Sequence, residues 1–515
     1  MSGVYKMSYM GVDLGTSGCK VIIIDDSGRI LASAKHPYRM IVGKGGFFEL
    51  SPSDVLVAFK RSVRKALSIA RYNPVEAIAF SALGEAFLLI DKNKKTPLSN
   101  ILLPMDFRGL REFPSILEKI DEPALYVITG QPLHPMYSLP KILWLKRERP
   151  DLYEEASNIL CVGDFLVFTL TDQLVTDYSS ASRTMCFDIQ ALGWSTYLLR
   201  LFSLDKELFP QPLPIGTVVA PCKREWQEEL GFLSNTLVVT GGFDQVIAAI
   251  GAGVTEEGVV SDSIGTTECV GFVAGMPLSH QEAMRAGYQN NCFIDHTYFI
   301  NGGSLNGAVV INWLRENICT IVPPQESEAK ESFFQQLEAD LDFYPAPVYF
   351  LPYLSGKGTP YLDPLVKGAL FGLDLSVDIK SFFKAFLESS CFEVMSNIRW
   401  IEREIGNSVQ EIRVFGGGSK SEYWLKLKSE VTGKRISKPS IEDTSPFGAA
   451  IVAMAAKKNL PIREVVKSLV RETWAYEPKG IMLEAFQKKY EKYLILMNNL
   501  LKVWSEISKE ASKNE

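Results

Sequence analysis

The sequence predicts an α/β fold in which two related domains face one cleft. Apolar strand and helix patterns alternate through the first half of the 515-residue chain, as is typical of α/β folds. A strand, a glycine turn and a second strand begin the chain. The same arrangement recurs near residue 260, and both turns carry a Gly-Thr pair. Two such hairpins in one chain indicate two related domains.

The elements of the predicted first domain alternate between strand and helix. Glycine-containing turns separate the first strands, and Ser53 is the predicted N-cap of the first helix. The strands are expected at residues 9–13, 21–25, 29–34, 75–81 and 87–91, and the helix at residues 53–70.

A second domain is predicted where the pattern restarts, with the boundary near residue 247. The chain is accordingly divided into residues 1–247, residues 248–460 and a helical C-terminal extension at residues 461–515. The last part of this extension is amphipathic and is expected to form a surface helix. The elements around and beyond the boundary are expected at residues 237–239, 246–253, 259–264, 269–273, 412–415 and 483–507.

Composition argues against several classes of protein. Hydrophobic residues make up 46% and charged residues 22% of the chain, and the net charge of −6 gives no electrostatic footprint for nucleic acid or an anionic membrane. The eight cysteines, Cys319 included, are scattered and form no C-x-x-C pair. No apolar run is long enough for a signal peptide or a membrane span. A cytoplasmic protein without nucleic-acid or membrane partners is expected.

The first glycine turn has the composition of a phosphate-binding loop. Its glycines allow a phosphate to approach the backbone, while Thr16, Ser17 and Lys20 supply hydrogen-bond donors and a cation. Asp13, at the end of the preceding strand, can hold Mg²⁺ directly or through water. A plain hairpin turn is the alternative for so short a motif, and the chain has no Walker A sequence.

Two further glycine turns offer similar chemistry. Gly265, Thr266 and Thr267 form a second hairpin turn with hydroxyl donors, and two facing loops of this kind can clamp a polyphosphate. Gly417 and Gly418 follow an apolar strand and precede a helix, where glycine lets a flat ligand or a phosphate pack against the helix N-terminus. An ordinary strand-to-helix turn is the alternative for this last pair.

A fourth glycine turn places an acid at the predicted domain boundary. Asp244 follows two glycines directly and precedes Gln245. A carboxylate at this point of a cleft can accept the proton of a substrate hydroxyl during phosphoryl transfer. The alternative is an aspartate that caps the following helix.

Taken in order, these motifs resemble the FGGY carbohydrate kinases of the actin–hexokinase–Hsp70 superfamily. The resemblance runs from about residue 9 to about residue 456 and implies two actin-like (ribonuclease H-like) domains flanking a deep catalytic cleft, with ATP and Mg²⁺ as cofactors. The segments that carry the resemblance are residues 13–20, 176–184 (TDYSSASRT), 242–245, 263–267, 351–360 (LPYLSGKGTP), 368–373 (GALFGL) and 416–419.

The resemblance also implies roles for individual residues. Asp244 is expected to be the general base and Asp13 to be associated with Mg²⁺. ATP is expected to contact Thr16, Ser17, Lys20, Gly265, Thr266, Thr267, Gly417 and Gly418. The substrate is expected near Gly84, Glu85, Asp106 and Gln245.

The predicted sugar pocket departs from two known patterns of this family. Xylulose kinases carry Met-His-Gly at the end of the strand that precedes Glu85, and glycerol kinases carry Arg-Glu there. Glu85 is kept in this chain, but Gly84 stands in place of the arginine and is expected to leave room for a substrate longer than glycerol. Met136 stands where glycerol kinases have a tyrosine, which also argues against glycerol.

The sequence therefore predicts ATP-dependent phosphorylation of a hydroxyl of a small sugar, sugar acid or polyol. A ketopentose, a ketohexose or a longer polyol is favoured over glycerol, and a homodimer is left open. A nucleotide-dependent binding protein or chaperone-like ATPase of the same superfamily fold is the alternative. A catalytically inactive relative is disfavoured because every phosphate-loop and base position is filled.

Overall fold

The structure is a computed structural model that describes residues 7–71, 73–317, 337–339 and 341–511 of the chain. Cys319 lies outside these residues, and the other seven cysteines are free thiols. Within the described residues, no helix is both long enough and apolar enough to cross a membrane.

Strands and helices alternate in the N-terminal half of the chain, as predicted. The strands are β1 Ser8–Leu14, β2 Gly18–Asp25, β3 Ile30–Pro37, β4 Ile41–Gly43, β5 Phe47–Leu50, β6 Val75–Ala82, β7 Phe87–Asp91, β8 Ile101–Leu102, β9 Ala156–Cys161, β10 Val175–Asp177, β11 Phe187–Asp188, β12 Gly193–Trp194, β13 Gln211–Leu213, β14 Val218–Pro221, β15 Leu237–Val239 and β16 Gly242–Phe243. The helices are α1 Pro52–Ala70, α2 Phe113–Leu117, α3 Glu122–Thr129, α4 Ser138–Glu148, α5 Pro150–Glu155, α6 Val162–Thr171, α7 Tyr178–Ser182, α8 Thr196–Leu201, α9 Arg224–Leu230 and α10 Asp244–Ala252.

The C-terminal half contains a second set of strands and longer helices. The strands are β17 Val259–Ile264, β18 Glu268–Ala274, β19 Gln289–Cys292, β20 Tyr298–Ser304, β21 Tyr349–Leu351, β22 Ala369–Phe371, β23 Glu411–Phe415, β24 Arg435–Pro439 and β25 Glu472–Tyr476. The helices are α11 Gln281–Ala286, α12 Ala308–Asn317, α13 Ile379–Ile405, α14 Glu422–Thr432, α15 Thr444–Lys458, α16 Ile462–Leu469 and α17 Leu483–Ala511.

A seven-stranded sheet with the order β14-β15-β6-β1-β2-β3 forms the centre of the first domain, and β16 also pairs with β6. The central strands β1, β2 and β6 are buried on both faces, which explains their near-continuous apolar sequences. β1 and β16 both run parallel to β6, so their carboxyl ends reach the same edge of the sheet. Residues that follow these strands therefore lie close together.

The second domain repeats this arrangement. Its sheet has the order β19-β20-β18-β17-β23-β24-β25. β17 forms an antiparallel hairpin with β18 and pairs in parallel with β23, just as β1 pairs with β2 and with β6. The prediction of an α/β fold with two related hairpins is confirmed.

A five-stranded sheet with the order β4-β5-β8-β7-β9 is inserted into the first domain. The sequence predicts β7 as a strand but does not separate it from the main sheet, because only residues 83–86 connect it to β6. This short connection passes from one sheet to the other and contains Gly84 and Glu85.

Helices α10 and α15 cross at glycines and join the two halves of the chain. A methyl group on Gly448 would lie 2.1 Å from the carbonyl oxygen of Ile247, and one on Gly251 would lie 1.9 Å from that of Thr444. Helix α15 also covers β1, where a methyl group on Gly11 would lie 1.8 Å from a main-chain oxygen of this helix. Only glycine allows main chains to approach so closely.

The structure corrects the predicted start of the first helix. The N-cap of α1 is Ser51, whose hydroxyl accepts a hydrogen bond from Asp54 N at 3.3 Å, and Ser53 already lies inside the helix. Pro52 occupies the start of the helix, where its missing N–H costs nothing.

The C-terminal extension predicted at residues 461–515 contains a strand as well as helices. It contributes β25, which pairs with β24 and so extends the second sheet. Helix α17 buries Phe486, Tyr490, Tyr493 and Met497 in the core of the second domain. The amphipathic pattern of the sequence therefore reflects packing of one face onto this domain.

The α10–α15 contact gives a testable prediction. Gly448→Ala should destabilise the protein by about 1–3 kcal/mol, because the added methyl group overpacks the helix crossing. Urea denaturation should show a lower midpoint. Gly275→Ala is the control, since the nearest heavy atom to its methyl group would lie 3.6 Å away. Equal midpoints for the two variants would contradict the close crossing.

Candidate active site

Two acids meet at the strand ends of the first sheet. Ser81, near the end of β6, is the register partner of Asp13 on one side and of Gly242 on the other. Its hydroxyl donates to Asp13 Oδ1 at 2.8 Å. Asp244 follows β16 directly and is the first residue of α10. The structure thus brings together two acids that the sequence predicts from separate motifs.

Burial raises the pKa values of both acids. Asp244 is half-buried, and burial raises its pKa to about 7, with a further rise from the negative charge of Asp13. A hydrogen bond from the main chain of Gln245 and the charge of Arg183 act in the opposite direction. Burial also raises the pKa of Asp13 to about 6, against the lowering effects of the Ser81 hydrogen bond and nearby lysines.

The first glycine turn forms the predicted hairpin between β1 and β2. Thr16 and Ser17 are exposed at its tip, and Gly15 N donates to Gly18 O at 3.2 Å. Lys20, on β2, forms an ion pair with Asp443, the residue before α15. The sequence does not suggest this partner, because it lies in the other half of the chain.

The two glycine turns of the second domain lie side by side. Gly265 N donates to Thr267 O at 2.8 Å, and the exposed turn also accepts hydrogen bonds from the first residues of α12. The turn after β23 packs on the end of β17, where a methyl group on Gly418 would lie 2.4 Å from Ile264 Cγ2. Gly417, next to it, is exposed.

A buried ion-pair network supports the second hairpin turn. Lys428 on α14 is fully buried and donates to Glu268 Oε1 at 2.6 Å and to Asp262 on β17. The other oxygen of Glu268 accepts from Ser390 at 2.5 Å. Because Glu268 directly follows Thr267, this network holds the base of the turn in place. Sequence reasoning missed these residues, which lie on four separate elements.

The TDYSSASRT segment forms α7 and holds the main chain before Asp244. Ser179 Oγ donates to Asp177 Oδ1 at 2.5 Å and accepts a hydrogen bond from Phe243 N at 2.9 Å. Asp177 also caps α7 by accepting from Ser180 N at 2.9 Å. The position of Asp244 is therefore tied to the N-terminal end of α7.

Arg183, at the C-terminal end of α7, reaches Glu85. Its Nε donates to Glu85 Oε1 at 2.5 Å, and Nη2 donates to the same oxygen. The two side chains are 1% and 3% exposed, so this ion pair is removed from solvent. The guanidinium lies between the rings of Phe243 and Tyr137, at 4.5 and 5.0 Å from their centroids. Glu85 is thus a buried residue, and sequence reasoning assigned no role to its partner.

The remaining donors of Arg183 join the two domains. Its Nη1 donates to Gln289 Oε1 at 2.7 Å, to Gln131 Oε1 at 3.2 Å and to Asn291 Oδ1 at 3.3 Å. Gln131 belongs to the first domain, whereas the other two amides lie on β19 of the second. Oxygen atoms of both domains therefore hold the guanidinium.

The space predicted beside Gly84 is filled. A methyl group on Gly84 would lie 2.6 Å from Arg183 Cγ and 2.7 Å from Phe243 Cδ2. The expectation that Gly84 leaves room for a longer substrate is therefore wrong. The side chain of Arg183, which comes from a distant part of the sequence, occupies this volume.

The predicted substrate contact of Asp106 is also contradicted. Its side chain has no exposed surface, and both oxygens accept hydrogen bonds, from Phe48 N at 2.8 Å and from the main chain and guanidinium of Arg108 at 2.6 to 3.0 Å. Asp106 stabilises a turn of the inserted sheet region.

The LPYLSGKGTP segment builds the interior of the second domain. Fully buried Lys357 donates to Glu393 Oε2 at 2.5 Å, while Tyr353 and Tyr493 donate to the other carboxylate oxygen at 3.0 and 2.7 Å. Thr359 donates to Asn397 Oδ1 at 2.6 Å. The network joins this segment to α13 and α17, so its specific sequence has a structural reason.

The FGGY family of carbohydrate kinases has an N-terminal domain model that matches residues 8–251 and a C-terminal domain model that matches residues 260–457. The chain belongs to the FGGY family of carbohydrate kinases. The family match covers every glycine turn of the candidate site and, except for β25 and the first residue of β17, both seven-stranded sheets.

Similar proteins extend over nearly the whole chain. A xylulose kinase from Bacillus subtilis is 26% identical over 496 residues, which cover 95% of this chain and 96% of the relative. A gluconokinase from the same organism is 24% identical over 506 residues, which cover 96% of this chain and 95% of the relative. A crystal structure described as a xyloylose kinase from Brucella ovis has a TM-score of 0.87 at 25% identity and covers 96% of this chain and 100% of that one.

These relationships establish the kind of enzyme. The chain is a carbohydrate kinase with a two-domain actin-like fold, and it transfers a phosphoryl group to a hydroxyl of a sugar, sugar acid or polyol. Membership of a kinase family implies ATP as the co-substrate. The chaperone-like alternative is not favoured, because the similar proteins are sugar, sugar-acid and polyol kinases.

The contact of Ser179 with the main chain before Asp244 can be tested kinetically. Ser179→Ala should lower kcat by about 10- to 100-fold, because a small displacement of a reacting group has a cost of this size. The KM for ATP should stay unchanged, and Ser179→Thr, which keeps the hydroxyl, should restore most of the activity.

The matched control is Thr184→Val at the other end of this segment. Its hydroxyl donates to Ala181 O at 2.7 Å and accepts from Cys186 N at 3.1 Å, away from the strand ends. A Ser179→Ala enzyme whose kcat equals that of Thr184→Val would argue against the positioning role.

Proposed function

We propose that Asp244 is the general base of the kinase reaction. As the acceptor hydroxyl attacks the γ-phosphorus of ATP, its proton passes to a carboxylate oxygen of Asp244, and ADP leaves. The observation that carries this proposal is the position of Asp244 beside Asp13 at the strand ends of the first sheet. A pKa near 7 also suits a group that must take up a proton at neutral pH.

The three phosphate-binding turns are the proposed ATP site. Thr16, Ser17 and Lys20 would donate to the phosphates from the first domain. The two turns at residues 265–267 and 417–418 would enclose the nucleotide from the second domain. The exposed main chain at these turns supports this arrangement, since backbone N–H groups in glycine turns bind phosphate well.

Asp13 is the proposed Mg²⁺-associated acid. Its half-buried carboxylate has a pKa raised to about 6 by burial, so a divalent cation nearby would stabilise the charged form. In kinases Mg²⁺ is usually held by one or two carboxylates together with phosphates and water, and it neutralises charge on the transferred group.

The proposed acceptor is a ketopentose, a ketohexose or a longer polyol in preference to glycerol. The names xylulose kinase and gluconokinase among the similar proteins support an acceptor of five or six carbons. Met136, in place of a glycerol-kinase tyrosine, agrees with this preference. The cytoplasmic location and the homodimer stay predictions from the sequence.

Asp244→Asn is the direct test. The variant should keep its fold and bind ATP, yet its kcat should fall by about 10²- to 10⁴-fold, because the amide cannot accept the proton. ADP release would be measured on a panel of ketoses, polyols and sugar acids. Asp25→Asn, a buried aspartate at the far end of β2, is the control and should keep wild-type turnover. Wild-type kcat in Asp244→Asn would remove Asp244 from this role.

A further inference from the structure

We propose that the acceptor is an uncharged polyhydroxy compound, and that Glu85 sets this preference by neutralising Arg183 next to Asp244. The inference rests on the proposed function and narrows its acceptor. A sugar acid would need a cation to balance its carboxylate. Of the two cations described on the acceptor side, Arg183 is paired with Glu85, and Lys141 is held by main-chain oxygens.

Every nitrogen of the Arg183 guanidinium already donates a hydrogen bond, which leaves no free pair of parallel N–H donors for a substrate carboxylate. Nε and Nη2 donate to Glu85, and Nη1 donates to the amide oxygens of Gln131, Gln289 and Asn291. A carboxylate is bound best by two parallel N–H donors of an arginine, and here those donors are used by Glu85. The side chain is 1% exposed, so a ligand cannot displace these contacts without opening the cluster.

Two lysines near the site also have partners within the protein. Lys141, which has no exposed surface, donates to the main-chain oxygens of Leu103 at 2.9 Å and Glu85 at 3.3 Å. Burial lowers its pKa to about 7, so its charge is weakened at neutral pH. Lys20 pairs with Asp443 on the phosphate side. Neither lysine supplies a free cation to the acceptor.

The net charge next to the acceptor is therefore negative. Glu85 cancels the charge of Arg183, and the proposed Mg²⁺ balances that of Asp13, which leaves the charge of Asp244. For a second anion about 6 Å from Asp244, at an effective dielectric constant of about 20, Coulomb repulsion lowers the relative affinity by about 100-fold. Partial protonation of Asp244 and screening reduce this effect, so a discrimination of about 10- to 100-fold is expected.

Neutral hydroxyls suit the amides that surround Arg183. Gln289 is half-buried, and its Oε1 accepts a hydrogen bond from Asn301 Nδ2 at 3.2 Å. Asn301 Oδ1 in turn accepts from Asn291 Nδ2 at 2.6 Å. Amides both donate and accept, as hydroxyl groups do, and they carry no charge that would need a counter-ion.

The test compares pairs of acceptors that differ only in oxidation of one CH₂OH group to a carboxylate. Suitable pairs are D-glucitol with D-gluconate, xylitol with D-xylonate, and D-fructose with 2-keto-D-gluconate. ADP release gives kcat/KM for each compound. In the pair that turns over best, the neutral member should exceed the acid by about 10- to 100-fold. A wild-type enzyme that uses the acid as well as or better than its neutral partner would overturn the proposal.

Glu85→Gln tests the cause of the preference. The variant keeps the size of the side chain and an acceptor oxygen for Arg183 Nε but removes the negative charge. The ratio of kcat/KM for acid over neutral acceptor should rise by about tenfold or more. Glu49→Gln is the matched control, because Glu49 Oε1 pairs with Arg108 Nη2 at 2.5 Å elsewhere in the same domain. An unchanged ratio in Glu85→Gln would overturn the role of Glu85.

The outcomes separate this inference from the proposed function. If Glu85→Gln fails to fold, the ratio of kcat/KM for acid over neutral acceptor in the wild-type enzyme still tests the preference for neutral acceptors. If an acid is the better acceptor, the inference fails while the kinase reaction stands. If no compound of the panel raises ADP release above the acceptor-free rate, the proposed function fails, and the inference falls with it.

Discussion

The crossing of α10 and α15 is the contact on which the rest of the site depends. Gly251 and Gly448 let the two helices approach until main chain meets main chain, and α15 packs equally closely on Gly11 of β1. Asp244 begins α10, and Asp443 precedes α15 and pairs with Lys20 of the first hairpin. The proposed base and the first phosphate loop are therefore held by the same helix pair that connects the two domains.

Helix α7 adds a second fixed point from the acceptor side. It is only five residues long, yet its N-terminal end holds the main chain at Phe243 through Ser179, and Arg183 just beyond it binds Glu85. The ring of Phe243 lies against the same guanidinium. Phe243, the residue before Asp244, is thus held by two contacts. Its main-chain N–H donates to Ser179, and its ring packs against Arg183.

The sequence predicts the local features of this protein well, and the long-range ones poorly. Glycine turns, strand ends and the position of Asp244 follow from short patterns, and the structure places Asp13 and Asp244 on neighbouring strand ends. The pairs Lys20–Asp443 and Arg183–Glu85 are 423 and 98 residues apart, so no pattern in the sequence connects them. The expectation of open space beside Gly84 is wrong because the side chain that fills it comes from a distant part of the sequence. A glycine shows that its own side chain is absent, but it does not show which distant side chain fills the space.

Buried carboxylates occur in two electrostatic settings in this protein. Glu393 accepts a direct hydrogen bond from buried Lys357, so the charges of this pair balance within the fold. Removing one partner of such a pair leaves an uncompensated buried charge, which is strongly destabilising. Burial raises the pKa values of Asp13 and Asp244, and the negative charge of Asp13 raises that of Asp244 further. Burial also raises the pKa of Asp164, whose carboxylate accepts a main-chain hydrogen bond at the start of α6, so a raised pKa alone does not mark a catalytic acid. What distinguishes Asp13 and Asp244 is that they meet at the strand ends, beside the glycine turns.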